Sequence, residues 1–239
     1  MRKNLVISGE PKTGKSTLVE QIIPEYPYTA GFITKEIRKD GLRTGFELFS
    51  SLGESALLAD INTPTIHRVG KYFVQKDSLE LFLARLPKYD KNHLLYMDEI
   101  GQMELISENF KKLASEYLDS QNTCVVTLTS VFDDDFVSTV KNRADSIHVS
   151  LTSENRGASL DFVKTLLKKI VKARRYVQET ERFTFEDSTH VNLEAEHGVR
   201  RLALSNGAWQ CDCEFFSSNS ICSHVIAVEA LPNRSVFRA

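Results

Sequence analysis

Hydrophobic positions along the first 175 residues follow two alternating patterns: short apolar runs, and longer stretches with an apolar residue every three or four positions. The first pattern is typical of buried strands and the second of amphipathic helices. The predicted strands are residues 4–8, 31–38, 43–50, 94–97, 124–129 and 146–151, and the predicted helices are residues 14–23, 77–86, 107–118 and 157–176. Strands that alternate with helices predict an α/β fold, in which a parallel sheet is covered by helices on both faces.

Local signals define the ends of some of these elements. Asp40-Gly41 separates two predicted strands and is a dipeptide typical of hairpin turns. The helix at residues 77–86 is expected to use Asp77 or Ser78 as its N-cap and to end at Pro87.

A change of pattern near residues 176–180 predicts a domain boundary. Beyond it lie three strand-like runs and a short helix, at residues 182–186, 190–194, 199–204 and about 223–231. The charge changes at the same place, because residues 176–239 hold 5 basic and 9 acidic residues whereas the preceding part has a net charge of +2. We therefore predict two domains, residues 1–175 and residues 180–235.

Composition and charge argue against two classes of protein. The chain of 239 residues has a net charge of −2, so a globally basic nucleic-acid binder is not expected. Its apolar runs are all far shorter than the roughly 18 residues of a membrane-spanning helix. The apolar run near the N-terminus is too short for the core of a signal peptide, so we expect a cytoplasmic protein.

A phosphate-binding loop is predicted at residues 9–16, which match the pattern G-x-x-x-x-G-K-[ST]. Its glycines let backbone N–H groups point at phosphate oxygens, and the following helix adds the dipole of its N-terminus. Lys15 is expected to reach the β- and γ-phosphates and to act in catalysis, while Ser16 offers its hydroxyl to Mg²⁺. The predicted nucleotide-binding residues of this segment are Gly9, Glu10, Pro11, Lys12, Thr13, Gly14, Lys15, Ser16 and Thr17.

Two carboxylates follow the predicted buried strand that ends at Met97. In enzymes with a phosphate loop, an Asp at this place holds Mg²⁺, directly or through water, and we assign that role to Asp98. Glu99 is expected to take the proton from the attacking water. The alternative interpretation is a solvated turn at the end of a strand. Thr127, Thr129 and Ser130 end the next strand, either as sensors of the γ-phosphate or as ordinary residues of the strand end.

Five further segments occur in a fixed order, at residues 31–38, 43–46, 69–72, 98–105 and 154–156. Together with the phosphate loop, they resemble the small THEP-type nucleoside-triphosphatase family, also called cancer-related NTPases, over residues 1–172. The resemblance implies a P-loop fold and Mg²⁺-dependent hydrolysis of ATP, GTP and other nucleoside triphosphates to diphosphates, with broad base tolerance. It also implies that residues 98–105 contact the nucleotide, and we include Gly101 and Glu104 among the binding residues.

Two positions depart from the pattern of this family. Lys12 stands where the family usually has glycine, and Phe73 follows Tyr72 where a small residue is usual. Neither departure removes a catalytic group, but both could change the rate or the substrate preference.

Two pairs of residues in the resembling segments have a functional and a structural interpretation. Arg38 and Arg43 could supply a cation to the transition state, or they could be solvated on a hairpin. Asn155 and Arg156 could contact the base or the ribose, or they could cap the last helix of the domain.

A second candidate site lies near the C-terminus. Cys211, Cys213, Cys222 and His224 provide three thiolates and one imidazole, a full tetrahedral set for zinc. The first two cysteines are expected on one strand with their side chains on the same face, the third in a loop and the histidine in the first helical turn. A closed set of four ligands leaves no position for water, so we predict a structural zinc.

The residues around these ligands resemble the SWIM zinc-finger module over residues 180–232, and we expect a small ββα-like zinc module. SWIM modules are associated with contacts to nucleic acids or proteins. The acidic charge of this part of the chain favours a protein partner, since a phosphate backbone attracts basic surfaces. The basic residues of the preceding helix leave a nucleic-acid patch open as the alternative: Lys164, Lys168, Lys169, Lys172, Arg174 and Arg175.

The sequence thus predicts a Mg²⁺-dependent nucleoside triphosphatase fused to a structural-zinc interaction module. Two alternatives remain open. A nucleotide kinase uses the same loop but needs a second substrate pocket and usually an arginine-rich lid, which the sequence does not indicate. A binding switch would use slow hydrolysis to time an interaction of the zinc module.

Overall fold

The computed structural model describes residues 1–231, which divide into two compact units. One unit is Lys3–Leu160, and the other runs from Asp161 onward and includes Met1–Arg2. The predicted domain boundary at residues 176–180 stays a prediction. The predicted ends of the C-terminal module and of its resemblance, residues 235 and 232, lie outside the described residues.

The first unit contains nine of the strands that the structure describes. They are β1 (Asn4–Gly9), β2 (Thr29–Lys39), β3 (Leu42–Ser50), β4 (Ser55–Asp60), β5 (Arg68–Val69), β6 (Tyr72–Val74), β7 (Leu94–Ile100), β8 (Cys124–Thr129) and β9 (Ser146–Ser150). The helices that begin in this unit are α1 (Lys15–Ile22), α2 (Lys76–Leu83), α3 (Glu108–Asp119), α4 (Asp135–Lys141) and α5 (Arg156–Gln178). Short 3-10 turns occur at Ile23–Glu25 and Glu104–Ile106.

These strands form one sheet in the order β5-β6-β4-β3-β2-β7-β8-β1-β9. The part β2-β7-β8-β1-β9 pairs in parallel, which confirms the predicted α/β fold with a parallel sheet. The remaining strands extend it in antiparallel pairs. The reversal begins at the predicted turn, because Asp40 and Gly41 both have positive φ, 49° and 77°, as a two-residue hairpin requires.

The helices bury their apolar faces as their sequence pattern predicts. In α3, Phe110, Ala114, Tyr117 and Leu118 are buried, and the hydroxyl of Ser107 caps the helix by accepting from the N–H of Phe110 at 2.9 Å. Burying such a stripe against a sheet is the main source of helix stability in a globular protein.

The predicted start of α2 is wrong, because the helix begins at Lys76 with Gln75 as its N-cap. The side-chain amide of Gln75 donates through its Nε2 to the backbone carbonyls of Thr63 and Phe73, at 2.8 and 3.2 Å. These hydrogen bonds hold Gln75 in place as the N-cap. The helix therefore begins one residue before Asp77, the first of the two caps that the sequence predicted.

The second unit contains β10 (Phe183–Phe185), β11 (His190–Ala195), β12 (Gly198–Ser205) and β13 (Ala208–Cys211), then α6 (Glu214–Asn219) and α7 (Ser223–Ala230). The four strands, among the residues described, form an antiparallel sheet in sequence order. The expected small zinc module of strands followed by a helix is present, and two further strands and a second helix extend it. Asn206 and Gly207 form its last hairpin turn, with φ values of 52° and 78°.

Candidate active site and metal centre

The phosphate loop connects β1 to α1, as its sequence pattern predicts. Gly14 precedes the helix with φ of 100°, a left-handed conformation that favours glycine. Gly9 is also tightly packed, because a Cβ there would lie 2.5 Å from the carbonyl oxygen of Leu151. Both glycines of the loop pattern are thus required by the backbone itself.

Lys12 has φ of 71° in the same loop. This left-handed conformation is unfavourable for a residue with a Cβ. It occurs at the position where the resemblance leads us to expect glycine. The departure from the family pattern therefore places backbone strain in the phosphate loop.

Lys15 is buried, and its ammonium group lies over the loop. The Nζ donates to the carbonyl oxygens of Gly9 at 3.0 Å and Glu10 at 3.2 Å, and it lies 3.5 Å from a carboxylate oxygen of Glu99. The hydroxyl of Thr13 donates to the same Glu10 carbonyl at 2.9 Å. The predicted catalytic pair, Lys15 and Glu99, is therefore in direct contact.

Asp98 is fully buried near the end of β7. The hydroxyl of Thr127, on the neighbouring strand β8, donates to its Oδ1 at 2.5 Å. Its Oδ2 is buried and has no hydrogen-bond partner among the described residues. Burial raises the pKa of Asp98 to about 6, and the Thr127 hydrogen bond opposes that shift.

Two glutamates stand beside this aspartate, on either side of Gly101. A Cβ on Gly101 would lie 3.0 Å from Oε2 of Glu104 and 3.2 Å from Oε1 of Glu99. Burial raises the pKa of Glu99, and the charge of Lys15 opposes this. Burial raises the pKa of Glu104 to about 8, and the charges of Glu99 and Asp98 add to the effect. Near neutral pH, Glu104 therefore tends to keep its proton.

A cavity of about 830 Å³ joins the loop and the carboxylates. Its lining includes ten of the predicted site residues: Pro11, Lys12, Gly14, Lys15, Ser16, Thr17, Asp98, Glu99, Gly101 and Glu104. Gly9, Glu10 and Thr13 do not line it, and they shape the loop through the contacts described above. The unpartnered oxygen of Asp98 and the hydroxyl of Ser16 are hard oxygen ligands, so this site fits Mg²⁺.

The hairpin arginines line the same cavity but are engaged by a carboxylate. Glu36 accepts from Arg43 at 2.8 Å and from Arg38 at 2.9 and 2.5 Å. Arg43 also donates to the hydroxyl of Tyr72 at 2.8 Å. Sequence reasoning named both arginines but missed Glu36, although an acidic residue two positions before Arg38 on the same predicted strand was a visible signal.

Asn155 has a structural role in the loop between β9 and α5. It donates to the carbonyl of Ser150 at 2.9 Å and accepts from the N–H of Thr152 at 2.8 Å. Arg156, at the start of α5, lines the cavity. Its Nε lies 2.6 Å from the place that a Cβ on Gly14 would occupy. Thr127 was predicted as a possible phosphate sensor, whereas its hydroxyl contacts Asp98.

The four predicted zinc ligands converge in the second unit. Their ligand atoms, the Sγ of Cys211, Cys213 and Cys222 and a ring nitrogen of His224, all lie within 4.8 Å of one another. Tetrahedral Zn–S bonds of about 2.3 Å place sulfur atoms roughly 4 Å apart, so the cluster fits a zinc ion. The ring of Tyr176 stacks on that of His224 with centroids 5.9 Å apart and orients the imidazole.

The expected strand position of Cys213 is wrong, because β13 ends at Cys211. Cys213 is instead the N-cap of α6, and its Sγ accepts from the N–H of Phe216 at 3.4 Å. Cys222 caps α7 in the same way, and His224 lies in the first turn of that helix, as expected. A hydrogen bond with Cys222 and burial raise the pKa of Cys211 to about 12, so a metal ion must displace a proton to bind this thiol.

Comparisons with known proteins match the two regions of the chain that hold these residues. The family model described as "NTPase" matches residues 4–164, and the model of the SWIM zinc finger matches residues 190–230. The nucleoside-triphosphatase THEP1 of Thermotoga sp. (strain RQ2) is 36% identical, over 69% of this chain and 95% of the relative. THEP1 of Thermotoga maritima is 34% identical with the same coverage.

Two solved structures are similar to the chain. The crystal structure of THEP1 from Aquifex aeolicus matches with a TM-score of 0.59 and 29% identity, over 69% of this chain and 98% of that one. The solution structure of a human cancer-related nucleoside triphosphatase matches with a TM-score of 0.58 and 27% identity, over 69% and 97% of the two chains. No helix among the described residues is long and apolar enough to cross a membrane. The chain belongs to the THEP1 nucleoside-triphosphatase family, and a SWIM zinc finger follows its NTPase region.

Proposed function

We propose that this chain hydrolyses nucleoside triphosphates to diphosphate and phosphate in a Mg²⁺-dependent reaction with broad base tolerance. The observation that carries the proposal is the convergence of Lys15, Asp98 and Glu99 on one cavity beside the phosphate loop. Membership of a nucleoside-triphosphatase family supports hydrolysis as the reaction class.

The phosphate loop and Lys15 bind the triphosphate. In the free protein the Lys15 ammonium rests on two loop carbonyls and on Glu99. A phosphate group offers it stronger charge-assisted hydrogen bonds, so the ammonium turns toward the substrate. Mg²⁺, when bound by Ser16 and Asp98, neutralises negative charge on the phosphates.

Glu99 acts as the general base. Its raised pKa moves the carboxylate closer to the range in which it accepts a proton from water at neutral pH. Burial raises the pKa of Glu104 to about 8, so Glu104 holds its proton near neutral pH, and Glu99, which contacts Lys15, is the member of the pair assigned to take up the proton of the attacking water.

The test is a hydrolysis panel without an acceptor. The full chain is incubated with ATP, GTP, CTP or UTP, with Mg²⁺ or with excess chelator, and the products are identified by ³¹P NMR. We expect diphosphate and phosphate from all four substrates, and none when Mg²⁺ is removed. Diphosphate that forms only when a second nucleotide is added, with the phosphoryl group found on that acceptor and no free phosphate, would instead identify a kinase.

The zinc module is proposed as a protein-interaction module of a cytoplasmic protein. Residues 176–239 are acidic overall, which disfavours binding to a phosphate backbone. The three cysteine ligands are free thiols rather than disulfides, as is usual in the reducing cytoplasm, and this supports the proposed location. Fluorescence anisotropy with labelled single- and double-stranded oligonucleotides at low salt tests the charge argument, and tight salt-sensitive binding would contradict it.

A further inference from the structure

The loop between β9 and α5 packs closely against the phosphate loop. The carbonyl oxygen of Leu151 lies 2.5 Å from where a Cβ on Gly9 would be. The side chain of Asn155 bonds to the backbone of Ser150 and Thr152 at 2.9 and 2.8 Å, which fixes the turn that leads into α5. The first residue of that helix, Arg156, is therefore held at a defined place beside the nucleotide cavity.

The side chain of Arg156 lies on the last glycine of the phosphate loop. Its Nε and Cζ are 2.6 and 2.9 Å from the position that a Cβ on Gly14 would occupy. Gly14 precedes Lys15, and Arg156 lines the same cavity as Ser16 and Thr17. Arg156 is nevertheless exposed, so its guanidinium group is accessible to a ligand.

The direction of a bound triphosphate places the nucleoside near this arginine. Lys15 and Glu99 are 3.5 Å apart and mark the end of the site where the terminal phosphate reacts. The amides of a phosphate loop hold the α- and β-phosphates where the following helix begins. A nucleoside joined to those phosphates would leave the loop on that side, where Arg156 packs on Gly14.

We infer that Arg156 is the stacking platform of the nucleobase, an inference that rests on the proposed function. A guanidinium group is planar and stacks on aromatic faces. Every base has a π-face, whereas the pattern of donors and acceptors on its edge differs from base to base. Recognition through the face holds purines and pyrimidines without selecting among them. Arg156 thereby supplies a physical cause for broad base tolerance.

The experiment compares nucleotides with a substrate analogue that has no base. Arg156→Ala and Arg156→Lys are assayed with ATP, GTP, CTP and UTP, and inorganic tripolyphosphate is measured as a competitive inhibitor. Loss of a base stack is expected to raise KM for all four nucleotides by a similar factor, roughly 5- to 150-fold. The inhibition constant of tripolyphosphate stays at the wild-type value. Arg156→Lys keeps the positive charge but loses the planar guanidinium face. Its KM values for the four nucleotides are therefore expected to rise as they do in Arg156→Ala.

A matched control is Arg85→Ala, which removes an exposed arginine that does not line the cavity. This variant is expected to leave KM for the four nucleotides and the inhibition constant of tripolyphosphate unchanged.

Weaker inhibition by tripolyphosphate in the Arg156 variants would show a phosphate contact and overturn the inference. An effect confined to one base, or full rescue by Arg156→Lys, would also overturn it. If the wild-type chain hydrolyses none of the nucleotides, the proposed function itself fails. If Arg156→Ala does not fold, Arg156→Lys provides the same comparison.

Discussion

Replacing Glu99 with Gln tests the proposed chemistry most directly. The change keeps the shape of the side chain and removes the group that accepts a proton. Loss of a general base typically slows an enzyme about 10²- to 10⁴-fold, so we expect kcat to fall by at least about 100-fold. The structure also predicts that nucleotide binding survives, because the phosphate contacts come from the loop and from Lys15.

The contact between Lys15 and Glu99 sets the expected change in affinity. In the free protein the two charged groups are 3.5 Å apart, and the Glu99 side chain is 31% exposed. A partly exposed ion pair of this kind contributes about 1 kcal/mol. Glu99 competes with the phosphates for the ammonium, so Glu99→Gln should tighten binding by up to about fivefold.

Two measurements separate chemistry from binding. Phosphate release under saturating ATP gives kcat, and isothermal titration with a non-hydrolysable ATP analogue gives Kd. Glu116→Gln, an exposed change on α3 that does not line the cavity, serves as the control and should match the wild type. A Glu99→Gln variant that turns over at the wild-type rate would remove Glu99 from the role of base. Loss of binding and of turnover by the same factor would indicate a distorted loop instead.

Three other predictions concern the metal centre, the buried glutamate and the sheet. Native mass spectrometry should find one zinc ion per chain, lost in Cys213→Ser and kept in Cys124→Ser, which changes a cysteine outside the ligand cluster. Burial raises the pKa of Glu104 in the folded state to about 8, above the ordinary value of 4.5. The folded state therefore binds more protons than the unfolded state between these values, and the stability of the metal-free protein should fall as the pH rises from 4.5 to about 8. Urea unfolding of Glu104→Gln should show a weaker dependence, reduced most above about pH 6, because the raised pKa of Asp98 also contributes below that value. An unchanged slope between pH 6 and 8 would contradict the assignment. Gly31→Ala would place a Cβ 1.9 Å from a carbonyl oxygen of β7, so it should cost at least about 2 kcal/mol or prevent folding. Gly157→Ala, with open space around its Cβ, should unfold like the wild type, and equal stability of the two variants would refute the packing argument.

Features encoded in contiguous residues were predictable from the sequence. The phosphate loop follows from its own pattern between a strand and a helix, and the hairpin at Asp40-Gly41 follows from the backbone preferences of that dipeptide. The cap of α3 at Ser107 was also within reach, since a serine precedes an apolar stripe. In each of these cases a few adjacent residues carry the whole physical cause.

Features that depend on contacts across the sheet were not predictable in this way. The short strands β5 and β6 have two and three residues, too few for a periodic signal, and they exist because they pair with β4 and with each other. The hydrogen bond from Thr127 to Asp98 joins two strands 29 positions apart. The helix α4 is different, because Asp134 caps it and gave a local signal that the sequence analysis missed.

The thiol groups that cap α6 and α7 are also predicted zinc ligands, so zinc binding should affect the order of the backbone at the start of both helices. Each Sγ accepts a hydrogen bond from an N–H in the first turn of its helix, at 3.4 Å in both cases. A thiolate is a better acceptor than a thiol, and zinc binding deprotonates the cysteine. Removal of zinc with a chelator should therefore fray the first turns of α6 and α7 together. Amide hydrogen exchange at Phe216 and Val225 would then report metal occupancy at two positions along the backbone.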